Sequence, residues 1–552
     1  MSDVRPVDVH ELLAERDMSI DEVWAAAEAR LDRPVSEGLN TAHEACDRWA
    51  RDRARLAMIV RHPDGSSERW TFADLAAASS RFATAMRAAG IRRGDRLAAL
   101  LPQGIEAYIA ALAAWRSGVI YMPLFVGFGP DALAERLNGG EPKAIVVDHR
   151  YRDAFESARH LLTGDPHVYT VVGGRGGGLL AGDRSFWAEI DRHPADTPVL
   201  HTAADEPATL IYTSGTTGPP KGCIQPHHLL LTIQPFLRHT FALQPSDMLF
   251  SGANPGWSYG LYTTGIGVMA LGCPRVVYTG DFKPADWLRI FEEERVTYVA
   301  AAPSAFRQLV KVAQRSGGLP PDIRGATSAG EPLDRPLVEA WRQFGVADIQ
   351  DGYGQSESAM SLANLAHSKE PVVPGALSSV VPGFDVALVD DDGNLQDEQG
   401  IIALRKPRYQ ASVGYWNAQQ QWDARWRGEW FLTGDVARRD EEGRWWFVGR
   451  DDDLIVTSGY NVGPTEVENV ILDHPGVDDA AVVAAADPDR GSVVRAVVVA
   501  NGSVPQDRLT EEIQAAVRER VGRHAYPRIV DFVDALPRTE SGKIRRHVLR
   551  QQ

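Results

Sequence analysis

The stretch TSGTTGPPKG at residues 213–222 is the part of this chain best suited to surround phosphate groups. It follows the apolar run ATLIY at 208–212, which predicts a buried strand. Its glycines let backbone N–H groups approach an anion, its hydroxyl side chains add donors, and Lys221 adds a positive charge. It is not a Walker A loop, because Lys221 is followed by Gly222 and the glycines at 215 and 218 stand too close together. Composition alone also leaves open an ordinary turn rich in Gly and Thr.

Four further segments carry residues suited to nucleotide chemistry: DGYGQSE at 351–357, WFLTGDVARRDEEGRWWFVGRDDD at 430–453, SGYNVGPTEVEN at 458–469 and PRTESGKIRR at 537–546. Together with the glycine-rich loop, and in this order, they resemble the motifs of the adenylate-forming superfamily. That superfamily includes acyl-CoA synthetases, luciferases and the adenylation domains of peptide synthetases. The resemblance covers nearly the whole chain, and its C-terminal part is most similar to the medium-chain acyl-CoA synthetases.

The resemblance implies an ATP- and Mg²⁺-dependent acid–coenzyme A ligase, which forms an acyl-adenylate and then a thioester. Because a carboxylate must meet the α-phosphate of ATP, the site has to supply positive charge and positioning. By this resemblance Lys543 bridges the two reacting groups, Glu357 ligates Mg²⁺, Tyr353 stacks on adenine, Asp435 accepts hydrogen bonds from the ribose and Arg450 adds a donor there. The remaining residues implied at the ATP site are Thr213, Ser214, Gly215, Thr216 (also a weaker candidate Mg²⁺ ligand), Thr217, Gly218, Lys221, Gly330, Glu331, Pro332, Asp351, Gly352, Gly354, Gln355 and Ser356.

An acyl pocket is implied at Trp257, Ser258, Tyr259, Gly260 and Gly354. Acetate-specific members of the family carry tryptophan where this chain has Gly354. The glycine therefore predicts a larger pocket and an acid larger than acetate, either a short- to medium-chain fatty acid or an aromatic acid.

The second half-reaction requires a rotation of the C-terminal domain in this family, and the resemblance places its hinge at Asp452. Relatives often carry arginine directly after SGY, where this chain has Asn461. The residues implied in coenzyme A binding are Ser458, Gly459, Tyr460, Arg490, Tyr526 and Arg528.

The elements that must position these motifs alternate between strands and helices. Residues 71–90 predict a helix capped by Thr71 and ended by Gly90, and 96–101, 119–124, 144–148, 169–174 and 208–213 predict strands. This alternation predicts an α/β fold whose mostly parallel sheets are covered by helices. Six of the fourteen tryptophans fall between Trp416 and Trp446, which favours packing in a small β subdomain over a ligand platform.

The predicted organisation is therefore a large N-terminal AMP-binding domain at 1–449, with the β subdomain at about 371–449, a hinge at 450–453 and a small mobile α+β domain at 454–552. The chain of 552 residues has a net charge of −16, which argues against nucleic acid or an anionic membrane surface as its main partner. Its three cysteines form no CxxC pair, and no signal peptide or apolar run long enough to span a membrane is visible. These features predict a cytoplasmic protein. Formation of a homodimer and acetylation of Lys543 remain open from the sequence.

Several other interpretations compete with these motifs. GQSES at 354–358 approaches the nucleophile elbow of hydrolases, but its fifth residue is Ser358 in place of glycine. His227 and His228 suggest metal ligands, although a role in packing or in the acyl site is favoured. The acidic run 451–453 suggests a cation site, although a solvated hinge is favoured. A basic tail alone would make Lys543 a solvated charge. Two other functions stay open: loading the phosphopantetheine of a carrier protein, and non-catalytic regulation by a nucleotide.

Overall fold

The computed structural model describes residues 9–172, 179–213, 220–331, 333–368, 370–450, 453, 455–457, 460–487, 491–522, 525–538 and 544–551. Short 3₁₀ segments lie at Val35–Glu37, Trp49–Arg51 and His149–Tyr151, and π-helical segments at His43–Asp47, Leu237–Phe241 and Tyr259–Ile266. The α-helices are α1 (Val9–Arg16), α2 (Ile20–Glu28), α3 (Phe72–Ala88), α4 (Ile105–Arg116), α5 (Pro130–Gly140), α6 (Arg152–Arg159), α7 (Phe186–Arg192), α8 (Leu229–Thr232), α9 (Gln234–Phe236), α10 (Gly267–Ala270), α11 (Pro284–Glu293), α12 (Pro303–Ser316), α13 (Arg335–Arg342), α14 (Gln419–Asp423), α15 (Pro464–Leu472), α16 (Gln506–Arg520) and α17 (Arg546–Gln551).

The strands belong to five sheets within the part of the chain that the structure describes. In chain order they are β1 (Leu56–Arg61), β2 (Ser67–Thr71), β3 (Arg96–Leu100), β4 (Ile120–Leu124), β5 (Ala144–Asp148), β6 (His167–Val171), β7 (Arg184–Ser185), β8 (Pro207–Thr213), β9 (Lys221–Pro226), β10 (Leu249–Ser251), β11 (Arg275–Tyr278), β12 (Tyr298–Ala300), β13 (Gly325–Ala329), β14 (Ile349–Gln355), β15 (Ala359–Ala363), β16 (Ala376–Leu377), β17 (Ser379–Val380), β18 (Val386–Val389), β19 (Leu395–Gln396), β20 (Gln399–Arg405), β21 (Gly414–Tyr415), β22 (Trp426–Arg427), β23 (Trp430–Arg439), β24 (Trp445–Arg450), β25 (Ile455–Thr457), β26 (Tyr460–Val462), β27 (Val477–Asp487), β28 (Gly491–Ala500) and β29 (Ile529–Phe532).

The first of the two largest sheets has the order β21-β9-β8-β4-β3-β5-β6-β7, and its pairs from β8 to β7 are parallel. Helix α3 packs beside it, and its N-terminus forms a capping box in which Thr71 accepts from the backbone of Asp74. Gly90 follows the helix with φ of +86°, a conformation that glycine adopts without a steric penalty. The predicted helix and the predicted strand–helix alternation are therefore confirmed.

The second large sheet has the order β17-β15-β14-β13-β12-β10-β11-β1-β2. Its central pairs from β1 to β14 are parallel, and antiparallel strands close both edges. Because parallel strands end at the same edge, β13 and β14 carry the 330 and 351–357 segments to one side of the sheet. This arrangement confirms the predicted α/β class with helix-covered, mostly parallel sheets.

The tryptophan-rich segment forms an antiparallel sheet around β18, β20, β23 and β24. Trp422 is buried, and its ring packs edge-on against Tyr415 at 5.3 Å and at an angle against Phe431 at 5.1 Å between centroids. Trp445 is also buried in the main core. The prediction that these rings serve packing is confirmed at both positions.

The C-terminal part has a small sheet of its own, in which β27 and β28 are antiparallel and β29 runs parallel to β28. Helices α15 and α16 share a separate hydrophobic core with it. Ion pairs between described residues that join this part to the rest of the chain include Lys311 Nζ with Asp478 at 3.5 Å and Arg538 with Glu331 at 3.6 Å. Within the described residues, none of the helices combines the length and apolar character needed to cross a membrane.

Asp453 corrects one expectation about the acidic run 451–453. A solvated position was predicted, yet Asp453 is buried, with an ion pair to Arg550 and a second arginine, Arg546, at 3.9 Å. Both arginines come from α17, which supplies the counter-charge that a buried carboxylate requires. Asp452, the predicted hinge, lies outside the described residues, and its role stays a prediction.

Candidate active site

The glycine-rich loop connects two adjacent antiparallel strands, β8 and β9. Thr213 at the end of β8 lies directly opposite Lys221 at the start of β9. The Lys221 ammonium lies 5.5 Å from the ring centroid of Tyr415, within the range of a cation–π contact. Five predicted phosphate-binding residues lie outside the described residues, namely Ser214, Gly215, Thr216, Thr217 and Gly218.

The carboxylate of Glu357 lies beside this hairpin. Its Oε1 accepts hydrogen bonds from the hydroxyl of Thr213 at 3.3 Å and from the hydroxyl of Tyr415 at 2.9 Å. Burial and the Glu357 charge both raise the pKa of Tyr415, so its hydroxyl remains a donor at neutral pH. Sequence reasoning missed Tyr415, because no motif marks it and β21 brings it to β9 only in the folded chain.

Strand β14 carries the DGYGQSE motif and includes a buried carboxyl group. Asp351 Oδ1 accepts from the backbone of Gly352 at 3.0 Å. Burial nevertheless raises the pKa of Asp351 to about 8, and the nearby Glu331 adds to the shift. At neutral pH this side chain is therefore largely protonated and neutral.

Asp435 lies directly across the β23–β24 pair from Arg450, and Arg450 Nε is 3.9 Å from its Oδ1. Its Oδ2 accepts from the Tyr353 hydroxyl at 2.7 Å and from Gln355 Nε2 at 2.6 Å. Burial, followed by the Asp435 charge, raises the pKa of Tyr353. The structure thus brings together four of the residues predicted at the adenosine end, with Tyr353 bound to Asp435 through its hydroxyl.

Glu331 lies between two arginines at the end of β13. Arg307 is 3.8 Å away, and Arg538 of the C-terminal motif is 3.6 Å away. Burial raises the pKa of Glu331, and the two arginines oppose that shift. Gly330 has a φ of +94°, which favours glycine at this turn, and Pro332 lies outside the described residues.

The WSYG motif, Trp257 to Gly260, leads into the π-helical segment, which begins at Tyr259. Trp257 packs against Phe125 at 5.5 Å and Phe128 at 6.2 Å between ring centroids. The hydroxyl of Ser258 accepts from the Gln225 side chain at 2.8 Å. Gly260 is tightly packed, because a Cβ there would lie 2.1 Å from the carbonyl oxygen of Asn254.

Gly354 does not provide the pocket volume that was expected of it. A Cβ at this position would lie 2.0 Å from the carbonyl oxygen of Ala359, in the neighbouring strand β15. The glycine is therefore explained by a close approach of two backbones next to the β-bulge in this hairpin. This geometry therefore does not support the volume argument made from Gly354, and an acid larger than acetate stays a prediction.

The Tyr526 ring contacts two guanidinium groups on the surface of the C-terminal part. Arg518 is 4.5 Å and Arg528 is 5.1 Å from the ring centroid, which concentrates positive charge there. Arg518, supplied by α16, was not predicted, and its only sequence signal is its place in a basic last turn. Tyr460 lies in β26, whereas Ser458, Gly459, Arg490 and the catalytic candidate Lys543 lie outside the described residues.

The competing interpretations receive little support from the structure. The GQSES segment leads from β14 into the antiparallel β15, whereas a nucleophile elbow leads from a strand into a helix. His227 Nδ1 accepts from the backbone N–H of Thr41 at 3.1 Å, and His228 Nε2 contacts the carbonyl of Gln410 at 2.9 Å, so each ring is held by a hydrogen bond inside the protein. Over the described ranges, no group of three or more His, Cys, Asp or Glu side chains is arranged to hold a metal ion.

Models of known protein families match both the large N-terminal part and the small C-terminal part of this chain. The sequence model described as AMP-binding enzyme matches residues 44–416, and that of the AMP-binding enzyme C-terminal domain matches residues 466–543. The chain belongs to the AMP-binding enzyme family. The first match spans Thr213, Lys221 and Glu357, and the second begins in α15. The family resemblance read from the motifs is thereby confirmed.

This AMP-binding enzyme is similar over most of its length to several curated proteins. It is 32% identical to the uncharacterized acyl–CoA ligase YtcI of Bacillus subtilis (strain 168), over 90% of this chain and 93% of that protein. It is 31% identical to the acetyl-coenzyme A synthetase of the same organism, over 96% and 93% of the two chains. It is 30% identical to the mitochondrial acyl-coenzyme A synthetase ACSM3 of Mus musculus, over 94% and 91%.

Solved structures show the same fold. The AMP-binding enzyme matches an acyl-CoA synthetase of Brucella canis with a TM-score of 0.75 and 33% identity, over 98% of both chains. It matches the anthranilate CoA ligase AuaEII, solved in complex with anthranoyl-AMP, with a TM-score of 0.85 and 26% identity, over 93% of this chain and 96% of that one.

Proposed function

We propose that this AMP-binding enzyme is an ATP-dependent carboxylic acid–coenzyme A ligase that works through an acyl-adenylate. One observation carries the proposal furthest. Strand β14 and the residues just after it contact two groups of polar residues. Glu357 accepts a hydrogen bond from Thr213 beside the glycine-rich loop, and Tyr353 donates one to Asp435. A nucleotide bound along β14 would have its phosphates near Lys221 and its ribose near Asp435.

The first half-reaction joins two anions, and it places specific demands on the site. A carboxylate oxygen of the acid attacks the α-phosphorus of ATP, the bond to the bridging oxygen breaks, and pyrophosphate leaves with the electron pair. Lys221 supplies positive charge at the phosphates, and Lys543, as implied by the family resemblance, supplies it at the reacting groups. Asp435 and Arg450 hold the ribose end, so that the α-phosphate is presented in one orientation.

In the second half-reaction the sulfur of coenzyme A attacks the acyl carbon of the adenylate. AMP leaves with the electron pair of the broken carbon–oxygen bond, and the thiol proton passes to solvent. The products over both steps are AMP, pyrophosphate and the acyl thioester. Arg518 and Arg528 around Tyr526 offer positive charge for the phosphates of coenzyme A.

Glu357 fits the role of a magnesium ligand. Its Oε1 is held by Tyr415 and Thr213, and its Oε2 makes no hydrogen bond with the described residues. One carboxylate oxygen is sufficient, because Mg²⁺ usually takes one or two carboxylates together with substrate phosphates and water. A bound Mg²⁺ would offset negative charge on the phosphates, and Glu357 would hold it on the β14 side.

The division into two moving parts is also a proposal. Strand β24 ends at Arg450, and the C-terminal sheet has its own hydrophobic core with α15 and α16. These features support a pivot at Asp452 between domains 1–449 and 454–552. We further propose a reducing, cytoplasmic setting, which the buried, unbridged thiols of Cys46, Cys223 and Cys273 support.

The test incubates the full chain with ATP, Mg²⁺, coenzyme A and one acid at a time from acetate, butyrate, hexanoate, benzoate and anthranilate. The expected result is release of AMP and pyrophosphate that depends on one or more acids, with the matching acyl-CoA found by mass spectrometry. Acid-dependent pyrophosphate without any thioester would indicate a carrier-protein loading enzyme. ATP binding without acid-dependent turnover for any acid would indicate a non-catalytic regulator.

The control for this test is Glu357→Gln, which keeps the side-chain shape and removes the charge. We expect it to slow acid-dependent pyrophosphate release by about 100-fold or more. Equal rates in the parent and in Glu357→Gln would show that the measured turnover comes from a contaminating enzyme or from another site.

A further inference from the structure

Gln225 is a fully buried polar residue near the end of β9, between the phosphate hairpin and the acyl motif. Its backbone is fixed by pairing, because Gln225 lies opposite Thr209 of β8 and β21 pairs with the two residues before it. Side chains alternate along a strand, so Gln225 shares a face with Cys223, which packs in one cluster with Tyr415, the residue that donates to Glu357. The side chain therefore points toward the centre of the proposed site.

The amide group of Gln225 joins two motifs that are far apart in the chain. Its Nε2 donates to the hydroxyl of Ser258 at 2.8 Å and to the backbone carbonyl of Ser356 at 3.2 Å. Ser258 belongs to the WSYG acyl motif, and Ser356 directly precedes Glu357. One side chain thus connects the predicted acid-binding segment with the proposed magnesium ligand.

The orientation of this amide follows from its partners. The Ser356 carbonyl can only accept a hydrogen bond, so the nitrogen of Gln225, and not its oxygen, must face it. The same nitrogen then donates to Ser258, which leaves the Ser258 proton free to be donated elsewhere. The Gln225 Oε1 is buried and makes no hydrogen bond with the described residues.

We propose that Gln225 is a positioning residue for the adenylation step. It orients the Ser258 hydroxyl so that the hydroxyl proton points at the carboxylate of the acid. It also holds that hydroxyl in a fixed position relative to Glu357. A neutral amide suits this role, because it orients a donor without adding a charge that would compete with the lysines for the carboxylate. This inference rests on the proposed function and adds to it a residue that lies in none of the motifs identified in the sequence.

The main test compares Gln225→Leu with the parent protein in both half-reactions. We expect kcat/KM for the acid in pyrophosphate release to fall about 10- to 100-fold, the size of one lost hydrogen bond to a charged group. KM for ATP should stay within about twofold, and thioester formation from supplied acyl-adenylate within about threefold. The matched control is Gln234→Leu, which removes another buried amide whose oxygen makes no hydrogen bond with the described residues, and it should behave as the parent.

A double-mutant cycle with Ser258→Ala separates positioning from general support of the fold. If Gln225 acts through Ser258, the double variant should be no slower than the slower single variant. Additive losses of activity in the double variant would overturn the proposal. A higher KM for ATP with equally slowed half-reactions and a large fall in Tm would overturn it too, because it would indicate general damage to the fold. Unchanged kinetics in Gln225→Leu would overturn it as well.

Gln225→Glu provides a readout that does not depend on the leucine variant folding. A carboxylate cannot donate to Ser258 and Ser356, whereas a carboxylic acid can, and burial raises the pKa of such a group. We expect the activity of Gln225→Glu relative to the parent to rise as the pH falls from about 8 to 6, and a flat ratio would overturn the proposal.

A parent that is inactive with every acid counts against the proposed function itself, whereas an active parent with unaffected Gln225 variants counts against this inference alone.

Discussion

The phenol of Tyr353 donates a hydrogen bond of 2.7 Å to the carboxylate of Asp435, 82 residues further along the chain. Gln355 donates to the same oxygen at 2.6 Å, and Arg450 approaches the other oxygen at 3.9 Å. Two hydrogen-bond donors and one ion pair, from two sheets, therefore define the position of this carboxylate before any nucleotide binds. A group held in this way loses little freedom when it accepts hydrogen bonds from a ribose.

Replacement of Asp435 by Asn should weaken ATP binding more than it affects chemistry. The amide keeps the shape but loses the charge, so we expect KM for ATP to rise about 10- to 100-fold. Tyr353→Phe removes one supporting donor and should raise KM by less, about 3- to 10-fold. The measurement is initial rates at varied ATP with saturating acid. An unchanged KM for ATP in Asp435→Asn would contradict the proposed ribose role.

Lys543→Ala should abolish adenylation and spare thioester formation from supplied acyl-adenylate. The side chain is proposed to contribute charge only while the carboxylate meets the α-phosphate. Loss of about 3–4 kcal/mol of stabilisation would slow that step 10²- to 10³-fold. Both half-reactions are measured separately, with Lys283→Ala, at an exposed lysine, as the control. Acetylation of Lys543 removes the same charge and should have the same effect. Equal loss of both half-reactions would contradict the assignment.

Asp452→Pro should allow adenylation and block the thioester step. Proline holds φ near −65° and has no N–H, so a rotation centred on this residue would be hindered. The measurement again follows pyrophosphate release and thioester formation in one preparation. Normal thioester formation would show that the C-terminal part does not pivot at Asp452.

Gly354→Ala should destabilise the fold rather than change the choice of acid. The added Cβ would lie 2.0 Å from the Ala359 carbonyl oxygen, and that backbone cannot move without disturbing the β14–β15 pairing. We expect a loss of about 1–3 kcal/mol in the free energy of unfolding, measured by denaturant titration. Gly164→Ala, where a Cβ meets nothing within 4 Å, is the control and should leave stability nearly unchanged. Full stability of Gly354→Ala, together with a change in the ranking of acids, would restore a pocket role for Gly354.

The free energy of unfolding should fall as the pH rises, because of the buried carboxyl group of Asp351. Its pKa is about 8 in the folded chain, against an ordinary value of 3.8. Between these values the folded state holds a proton that the unfolded state has released, so stability falls by up to about 1.4 kcal/mol per pH unit. Asp351→Asn removes this dependence. Thermal unfolding without nucleotide, at about pH 5 to 8, compares the two slopes, and parallel slopes would show that Asp351 is ionised in the folded chain.

Local features of this chain were predictable from the sequence alone. The helix that follows Thr71 and stops before Gly90 depends on capping and on backbone preferences within a few residues, and the structure confirms both ends. The order of the motifs was sufficient to identify the AMP-binding family, because those motifs are read directly from short runs such as TSGTTGPPKG. The α/β class followed from the alternation of apolar runs.

Contacts between distant segments were decided only by the tertiary structure. Gly354 suggested an open pocket until the β15 backbone was found against it, and Asp453 suggested solvent until two arginines of α17 were found beside it. Tyr415 and Gln225 belong to none of the recognised motifs, yet they contact Glu357, Ser258 and Ser356 across 58, 33 and 131 residues. Short-range patterns encode dihedral preferences and capping, whereas the free volume and hydrogen-bond partners of a side chain depend on which distant backbone packs against it.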